Sequence, residues 1–423
     1  MKRWLLVLSI LVLAAAGGLF LTACEEEVTG TGMNIPQPDP EVLEAFDVEM
    51  AGASQSFGFQ LFQQLVKEDE NIFISPTSVY TALSMTYNGA REETSEAMAK
   101  VLGVEGVELE RFNQNNLARL YKLQEADPEV VLNIANSLWL REGKEFDPDF
   151  LERNQEYYQA WGGELDFESQ EAVDTINGWV KDRTEGLIDK IVEYPINPQT
   201  VMFLINAVYF QGDWSLPFDP DNTYKDVFHG PEGAIEEVPF MHQSDDFAYL
   251  EKEGEFQAVR LPYGEEERLA MYVFLPDEEQ SLHNWINNLS GEKWEQWHQQ
   301  FRTMEGELHL PRFTMEYEQT LNEALEAMGM EVAFDPQQAD FFDMVPRDDG
   351  FRIFISEVKH KSFIEVDEEG TEAAAVTSVE MEATSAPPME RFEMKVNRPF
   401  FFLIHDRETG EILFKGAVVD PLS

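Results

Sequence analysis

The chain has 423 residues, of which 43% are hydrophobic and 12% aromatic, and its formal net charge is -51. This apolar content is enough for a large core, which excludes a disordered chain. The acidic surface repels nucleic acid, so we exclude nucleic acid as a partner. We also expect a saline habitat, because salt screens the self-repulsion of such a surface.

The first predicted element is an export signal. Two basic residues precede an apolar run over 4–21, which ends in LTAC at 21–24. This order is typical of a signal peptide, and an uncleaved membrane anchor is the alternative. The tetrapeptide resembles the lipobox of bacterial lipoproteins, which implies a signal over 1–23 and a lipid on Cys24 that holds the exported protein at the outer face of a membrane.

Cys24 is the only cysteine in the sequence, which excludes disulfides and thiolate metal clusters. The acidic segment 24–41 contains Gly and Pro and has no helical or strand period, so we interpret it as a tether. No second linker follows, and we expect one domain over 42–423.

Helices and strands alternate along this domain without the regular rhythm of a parallel sheet, which predicts a mixed α+β architecture. Ser75 and Pro76 are suited to begin a helix. Helices are predicted over 42–67, within 71–90 after a short strand, and over 173–188, ending near Gly186; strands are predicted over 131–140, 200–214, 351–367, 394–406 and 411–420.

The usual signatures of enzymes are missing. The sequence contains no GxSxG, HExxH or GxxxxGK[ST], and none of its seven histidines has a partner three or four residues away, which excludes a helical metal pair. We therefore expect no enzyme, no cofactor and no metal site.

The segment 368–388, EEGTEAAAVTSVEMEATSAPP, combines the charge of a loop with the alternation of a strand. Small or apolar residues occupy every second position, namely Thr371, Ala373, Ala375, Thr377, Val379, Met381 and Ala383. The intervening positions include Glu372, Ser378, Glu380 and Glu382. Prolines 387 and 388 end the pattern, because proline cannot donate to a sheet.

Six segments together resemble the serpin family of serine protease inhibitors. They are NIFISPTSVYTALSMTYNGA, NIANSLWL, INGWVKDRTEGLI, LINAVYFQGDW, HKSFIEVDEEGTEAAA and NRPFFFLIHDRETGEILFKGAVVDP, in the order in which serpins carry them. The resemblance implies helices around a large central mixed sheet, smaller sheets, and an exposed reactive-centre loop at about 368–392. After cleavage by a protease, such a loop inserts into the central sheet as a new strand.

The resemblance also implies roles for individual residues. The hinge of the loop would be Glu368, Glu369, Gly370, Thr371, Glu372, Ala373, Ala374 and Ala375. The bond that the protease attacks would join Thr384 to Ser385, with cleavage after Ala383 as the alternative. A polar cluster beneath the sheet, called the shutter, would be Ser75, Ser78, Asn206 and His360, and Trp214 would lie at the breach, where the loop enters.

The function expected from these residues is irreversible inhibition of extracellular serine proteases by a monomer. Small residues at the cleavage site favour elastase-like or subtilisin-like targets, and cysteine proteases stay possible. A non-inhibitory serpin that binds or stores a ligand is the alternative, and a secreted hydrolase is a third reading without a supporting constellation.

Overall fold

The computed structural model describes residues 40–124, 130–345, 352–371 and 391–423. Their helices are α1 (Pro40–Glu44), α2 (Val48–Leu65), α3 (Pro76–Tyr87), α4 (Glu92–Leu102), α5 (Leu109–Gln124), α6 (Pro148–Tyr158), α7 (Gln170–Arg183), α8 (Leu282–Asn287), α9 (Gly291–His298), α10 (Asn322–Leu325) and α11 (Glu331–Phe334). Their strands are β1 (Ile72–Ile74), β2 (Val130–Arg141), β3 (Trp161–Leu165), β4 (Met202–Asp213), β5 (Tyr224–Gly230), β6 (Gly233–Lys252), β7 (Phe256–Pro262), β8 (Leu269–Pro276), β9 (Arg302–Pro311), β10 (Phe313–Thr320), β11 (Lys359–Val366), β12 (Gly370–Thr371), β13 (Phe392–Lys395), β14 (Phe400–Asp406) and β15 (Ile412–Val418).

The helix starts follow the capping residues of the sequence. Ser75 caps α3 by accepting a hydrogen bond from the Ser78 amide, and Pro76 occupies its first position, as predicted. The helix predicted over 42–67 is divided in two, because Asp47 adopts an extended backbone and caps a new helix, α2. The helix predicted to end near Gly186 stops at Arg183.

Most predicted strands are confirmed, with two exceptions. The strand expected over 394–406 is divided into β13 and β14, which pair with different strands, because Pro399 between them cannot donate to a ladder. The strands expected over 131–140 and 200–214 are β2 and β4, which pair antiparallel with Asn136 opposite Asn206. The strand expected over 351–367 begins only at Lys359, so this prediction is wrong for the described residues 352–358. That segment has no neighbouring strand with which to form a ladder in the described part of the chain.

The strands of the described residues form three sheets. The largest runs in the order β1-β15-β14-β8-β7-β6-β9-β13, with β5 paired to β6. The second has the order β12-β4-β2-β3, and the third consists of β10 and β11. β4 and β11 therefore belong to different sheets, and this division positions the candidate site.

Two large cores lie on opposite faces of β8 and β14. Phe401 and Leu403 of β14 pack in the core that includes helix α2, whereas Phe400, Phe402 and Ile404 pack in the core shared with β4, β10 and β11. A strand buried on both faces explains why the sequence of β14 is a nearly continuous apolar run. A third, smaller core joins α7 to β2 and β4.

The predicted α+β architecture is confirmed by these elements. Residues Asp39–Ser423 group into one compact unit. In the ranges that the structure describes, no helix has the length and apolarity needed to cross a membrane.

Candidate functional site: the cavity beside the hinge

A cavity of about 430 Å³ separates β4 from β11. It is lined by residues 201–207 on the β4 side, by residues 352–361 on the β11 side, and by α3 residues such as Ser78 and Leu83. Among the described residues, β4 pairs with β2 along its length but with β12 only at Gly212 and Asp213, while β11 pairs with β10. The facing edges of β4 and β11 can therefore accept another strand.

The hinge residues leave β11 through a tight turn. The Asp367 amide donates to the Gly370 carbonyl over 3.1 Å, and the Asp367 carboxylate accepts from the amides of Glu369 at 2.9 Å and Gly370 at 3.2 Å. An aspartate that bonds to the backbone two and three residues later stabilises a chain reversal. Gly370 and Thr371 then pair antiparallel with β4.

Gly370 is required by its close approach to β4. A Cβ atom at this position would lie 2.2 Å from the Gly212 carbonyl oxygen and 2.7 Å from the Asp213 Cα atom. Both distances are shorter than any ordinary contact between these atoms, so a side chain would move the hinge away from β4.

Trp214 and Tyr263 hold the hinge from the side of β4. The Trp214 amide donates to the Glu369 carbonyl over 2.8 Å, and its indole Nε1 donates to the Asp367 carbonyl over 3.0 Å. The Trp214 ring stacks on Tyr263 with 4.5 Å between centroids, and the Tyr263 hydroxyl lies 3.0 Å from the hydroxyl of the buried Thr371. Trp214, assigned to the breach by resemblance, thus contacts the hinge directly.

Glu368 points into the protein although the hinge sequence is acidic. The residue is 4% exposed, and Arg312 Nε donates to its carboxylate over 2.8 Å. The Thr223 hydroxyl donates to the same oxygen, and the Phe218 amide donates to the Glu368 carbonyl over 2.8 Å. A buried carboxylate is tolerated when an opposite charge and hydrogen bonds surround it, so these partners fix the chain just before β12.

The residues assigned to the shutter by resemblance lie together at the N-terminal end of α3. The Ser75 amide donates to His360 Nε2 over 3.1 Å, and the Ser75 hydroxyl donates to the Leu413 carbonyl over 2.8 Å. The Ser78 hydroxyl donates to the Asn206 carbonyl over 3.4 Å. These three bonds connect α3 to β11, β15 and β4, and residues of β11 and β4 line the cavity.

The Asn206 side chain extends this network to the next strand. Its Nδ2 donates to Asn136 Oδ1 over 2.7 Å, and Asn136 Nδ2 donates to the Tyr158 carbonyl over 2.6 Å. Asn206 Oδ1 is buried and has no hydrogen-bond partner among the described residues. Buried polar atoms normally have partners, so this oxygen is an acceptor available to a group that enters the sheet.

His360 is neutral in this network. It is buried, and burial lowers its pKa from 6.5 to about 4. Only the neutral ring can accept the hydrogen bond from the Ser75 amide, because both nitrogens of a protonated ring are donors.

Several predicted site residues lie outside the described residues. These are Glu372, Ala373, Ala374 and Ala375 of the hinge, Thr384 and Ser385 of the reactive bond, and Cys24. The inward and outward register predicted beyond Thr371 and the cleavage alternative at Ala383 also fall there.

Sequence reasoning missed the partners of the hinge. The sequence could have revealed the turn at Asp367, since an aspartate three residues before a glycine is typical of a turn. Arg312, Thr223 and Tyr263 had none, because each is far from the hinge in sequence and becomes its neighbour only through the sheets.

One group of possible metal ligands lies on other strands. β6 and β9 bring together His242, Glu307 and His309, with one ligand atom from each within 4.8 Å of the others. The spacing of histidines along the sequence does not reveal this group, because its members face one another across a strand pair.

Comparisons with known proteins agree with the geometry. The family described as "Serpin (serine protease inhibitor)" matches residues 52–421. An uncharacterized serpin-like protein of Thermococcus kodakarensis is 37% identical over 394 residues, which cover 92% of this chain and 89% of that protein. The native-state crystal structure of tengpin, a thermophilic serpin, has a TM-score of 0.81 at 36% identity and covers 89% of this chain and 95% of its own. The crystal structure of a complex of human thyroxine-binding globulin has a TM-score of 0.79 at 26% identity and covers 90% of this chain and 100% of its own.

Proposed function

Because the chain belongs to the serpin family, we propose that it is an irreversible inhibitor of extracellular serine proteases and not an enzyme. The observation that carries this proposal is the pairing of Gly370 and Thr371 with β4 beside the cavity that separates β4 from β11. A segment continuing along this line would give both facing edges a partner, which is the geometry of strand addition.

The inhibitory step begins as ordinary proteolysis. The protease serine attacks the Thr384 carbonyl, the bond to Ser385 breaks, and the new amino group of Ser385 leaves with a proton. Thr384 stays joined to the protease as an ester. Release of the downstream end allows the loop to insert between β4 and β11 and to carry the protease with it before water hydrolyses the ester.

The insertion register is supported by Thr371, the last hinge residue that the structure describes. Thr371 is 3% exposed and its hydroxyl contacts Tyr263, so this position faces the interior. Alternation places Ala373, Ala375, Thr377, Val379 and Met381 on the same side in an extended chain. Small and apolar side chains at these positions are buried at little cost, whereas a charge there would lose its hydration.

The target class follows from the residues around the reactive bond. Thr384, or Ala383 in the alternative, suits the pocket of an elastase-like or subtilisin-like protease better than a pocket that selects Lys or Arg. Glu380 and Glu382 disfavour a protease with an acidic approach surface. Cysteine proteases stay within the proposal, since they also form acyl intermediates.

The rival function is ligand binding without inhibition. Human thyroxine-binding globulin, a structural relative, forms a complex with thyroxine. The hinge separates the two readings, because Thr371 and alanines 373–375 offer no large or charged residue to resist insertion. This feature favours inhibition.

We further propose export and attachment through Cys24, with a signal over 1–23, a tether over 24–41 and a single serpin domain over 42–423 that acts as a monomer. The LTAC motif and the acidic segment after it support this arrangement. Lasting attachment requires more than one acyl chain.

Incubation with an elastase and a subtilisin tests the inhibitory mechanism. We expect an SDS-resistant complex with the protease and a nicked protein that melts at a higher temperature than the intact one. Thr371→Arg should lose most of the complex and instead be cleaved as a substrate, because Thr371 is already buried beside Tyr263 and an arginine there would oppose the pairing with β4 from which insertion continues.

The matched control is Thr314→Arg, which places the same side chain at an exposed position of β10 and should form the complex normally. Cleavage of the wild-type loop without any complex would overturn inhibition in favour of the binding reading. Equal complex formation by Thr371→Arg would contradict the register.

A further inference from the structure

The side chains of His242, Glu307 and His309 share one face of the largest sheet. His242 of β6 lies directly opposite His309 of β9 in the antiparallel register, and Glu307 is two residues before His309 on the same strand. Residues paired across strands, and residues two apart on a strand, project from the same face. The sheet geometry thus places two imidazoles and a carboxylate together.

The distances between these groups are close to those of a metal site. The two imidazole rings stack with centroids 4.4 Å apart, and His242 Nε2 lies 3.9 Å from Glu307 Oε2. Ligand atoms of a tetrahedral zinc ion lie ~3.3 Å apart. The His242 side chain is 30% exposed and the Glu307 side chain is 51% exposed, so rotations of both side chains can bring their ligand atoms to these distances.

His242 Nε2 is a buried nitrogen without a hydrogen-bond partner in the described part of the chain. Such atoms are uncommon in folded proteins because their lost hydration is not replaced. Coordination to a cation would supply the missing interaction.

The His309 ring is already oriented by a contact with Tyr224. His309 Nδ1 lies 2.9 Å from the Tyr224 hydroxyl of β5, which leaves its Nε2 for a ligand. Histidines that bind metals commonly use the second nitrogen in such a bond, which fixes the ring and its tautomer. Tyr224 is therefore a positioning residue for the group.

A lysine lies beside the group on the neighbouring strand, but it is already paired with a carboxylate. The cation nearest in register is Lys395 of β13, which lies 2.6 Å from Asp226 in an ion pair.

We propose that His242, Glu307 and His309 bind one zinc ion, with water completing a tetrahedral site. Two imidazoles and a carboxylate are a donor set that zinc prefers, whereas magnesium and calcium prefer oxygen ligands alone. The ion would join β6 to β9, next to β13, the strand that follows the reactive loop. This site is independent of the inhibitory mechanism.

Calorimetric titration of the chelator-stripped protein with zinc chloride, in excess magnesium, tests the site. Magnesium occupies surface carboxylates, so we expect one zinc to bind and the melting temperature to rise by about 3 °C at a hundredfold excess over Kd. Glu307→Gln and His309→Gln should each weaken zinc binding at least about tenfold, and Tyr224→Phe by about tenfold.

The matched control is His229→Gln, which removes an exposed histidine from β5 of the same sheet and should bind zinc normally. Circular dichroism checks that each variant is folded. If His309→Gln does not fold, Glu307→Gln still tests the site, because the Glu307 side chain is exposed. The proposal is overturned if no stoichiometric zinc binding occurs, if Glu307→Gln binds like the wild type, or if the control loses as much affinity.

Discussion

At the scale of single residues, the hydrogen bond between α3 and β11 depends on the protonation state of His360. His360 Nε2 accepts from the Ser75 amide, and the Ser75 hydroxyl bonds to Leu413 in β15. A buried amide without an acceptor is costly. Protonation of His360 would therefore destabilise Ser75 and, through the Ser75 hydroxyl, its hydrogen bond to β15. The hydrogen bonds of Ser75 with His360 and Leu413 should therefore respond to acid.

We expect His360 to make the protein less stable below neutral pH. Its folded pKa is about 4 and its ordinary value is 6.5, so the unfolded chain binds more protons between these values. The stability that the neutral ring contributes is present above about pH 6.5 and is lost as the pH falls toward 4, a change of about 3 kcal/mol.

Denaturant midpoints measured across this pH window check the expectation. His360→Gln keeps an acceptor but cannot titrate, so its loss of stability with acid should be smaller than that of the wild type. The exposed His229→Gln is the control and should follow the wild type. An undiminished acid loss in His360→Gln would show that other groups are responsible.

Residue identities could be predicted where a local pattern marks them. Ser75 was found from its capping position and Gly370 from the hinge motif. The ion pair of Glu368 with Arg312 and the pairing of His242 with His309 could not be found, because the sheets bring together residues far apart in sequence. An acidic residue in a loop sequence predicts exposure, and the positions of Arg312 and Thr223 reverse that expectation.

At the scale of elements, β12 is the junction between the hinge and the sheet. It has two residues, yet its glycine approaches the β4 backbone so closely that a Cβ atom would overlap Gly212. We expect Gly370→Ala to break this pairing, and amide hydrogen exchange of residues 210–214 to become about tenfold faster, which corresponds to ~1.4 kcal/mol of local protection.

Gly163→Ala is the matched control, because it adds the same methyl group to β3 where no atom lies within 4 Å. Its exchange in the 210–214 segment should equal that of the wild type. If Gly370→Ala leaves this exchange unchanged, then Trp214 and Tyr263 hold the hinge without help from the close approach.

A helix or strand can be predicted from the sequence when neighbouring residues in the sequence stabilise it, or when it is buried on both faces. The cap of α3 and the apolar run of β14 are examples. Residues 352–358 have the sequence of a strand but line the cavity instead. A strand requires a partner, and whether one is present is a property of the whole sheet.

At the scale of the whole molecule, the sheet positions are not all filled. The order β12-β4-β2-β3 ends at a two-residue strand, and β10-β11 stands as a separate pair in the described residues. A full-length strand between β4 and β11 would form two ladders and fill the cavity. The sequence of the loop is compatible with that position, which is why cleavage is expected to stabilise the protein.

The acidic charge also acts on the whole molecule. A net charge of -51 favours expansion of the chain through self-repulsion, and salt reduces this repulsion. We expect the melting temperature to rise by about 5 °C between about 0.1 M and about 1 M NaCl, as the Debye length falls from ~10 Å to ~3 Å.

A charge-reduced variant separates screening from general effects of salt. Its five substitutions are Glu105→Gln, Glu236→Gln, Glu253→Gln, Glu265→Gln and Glu279→Gln, all at exposed positions. The variant should melt higher than the wild type at low salt and gain less from added NaCl, because it has less repulsion to screen. A wild-type melting temperature that is flat with salt, or an equal gain in both proteins, would contradict adaptation to a saline habitat through surface charge.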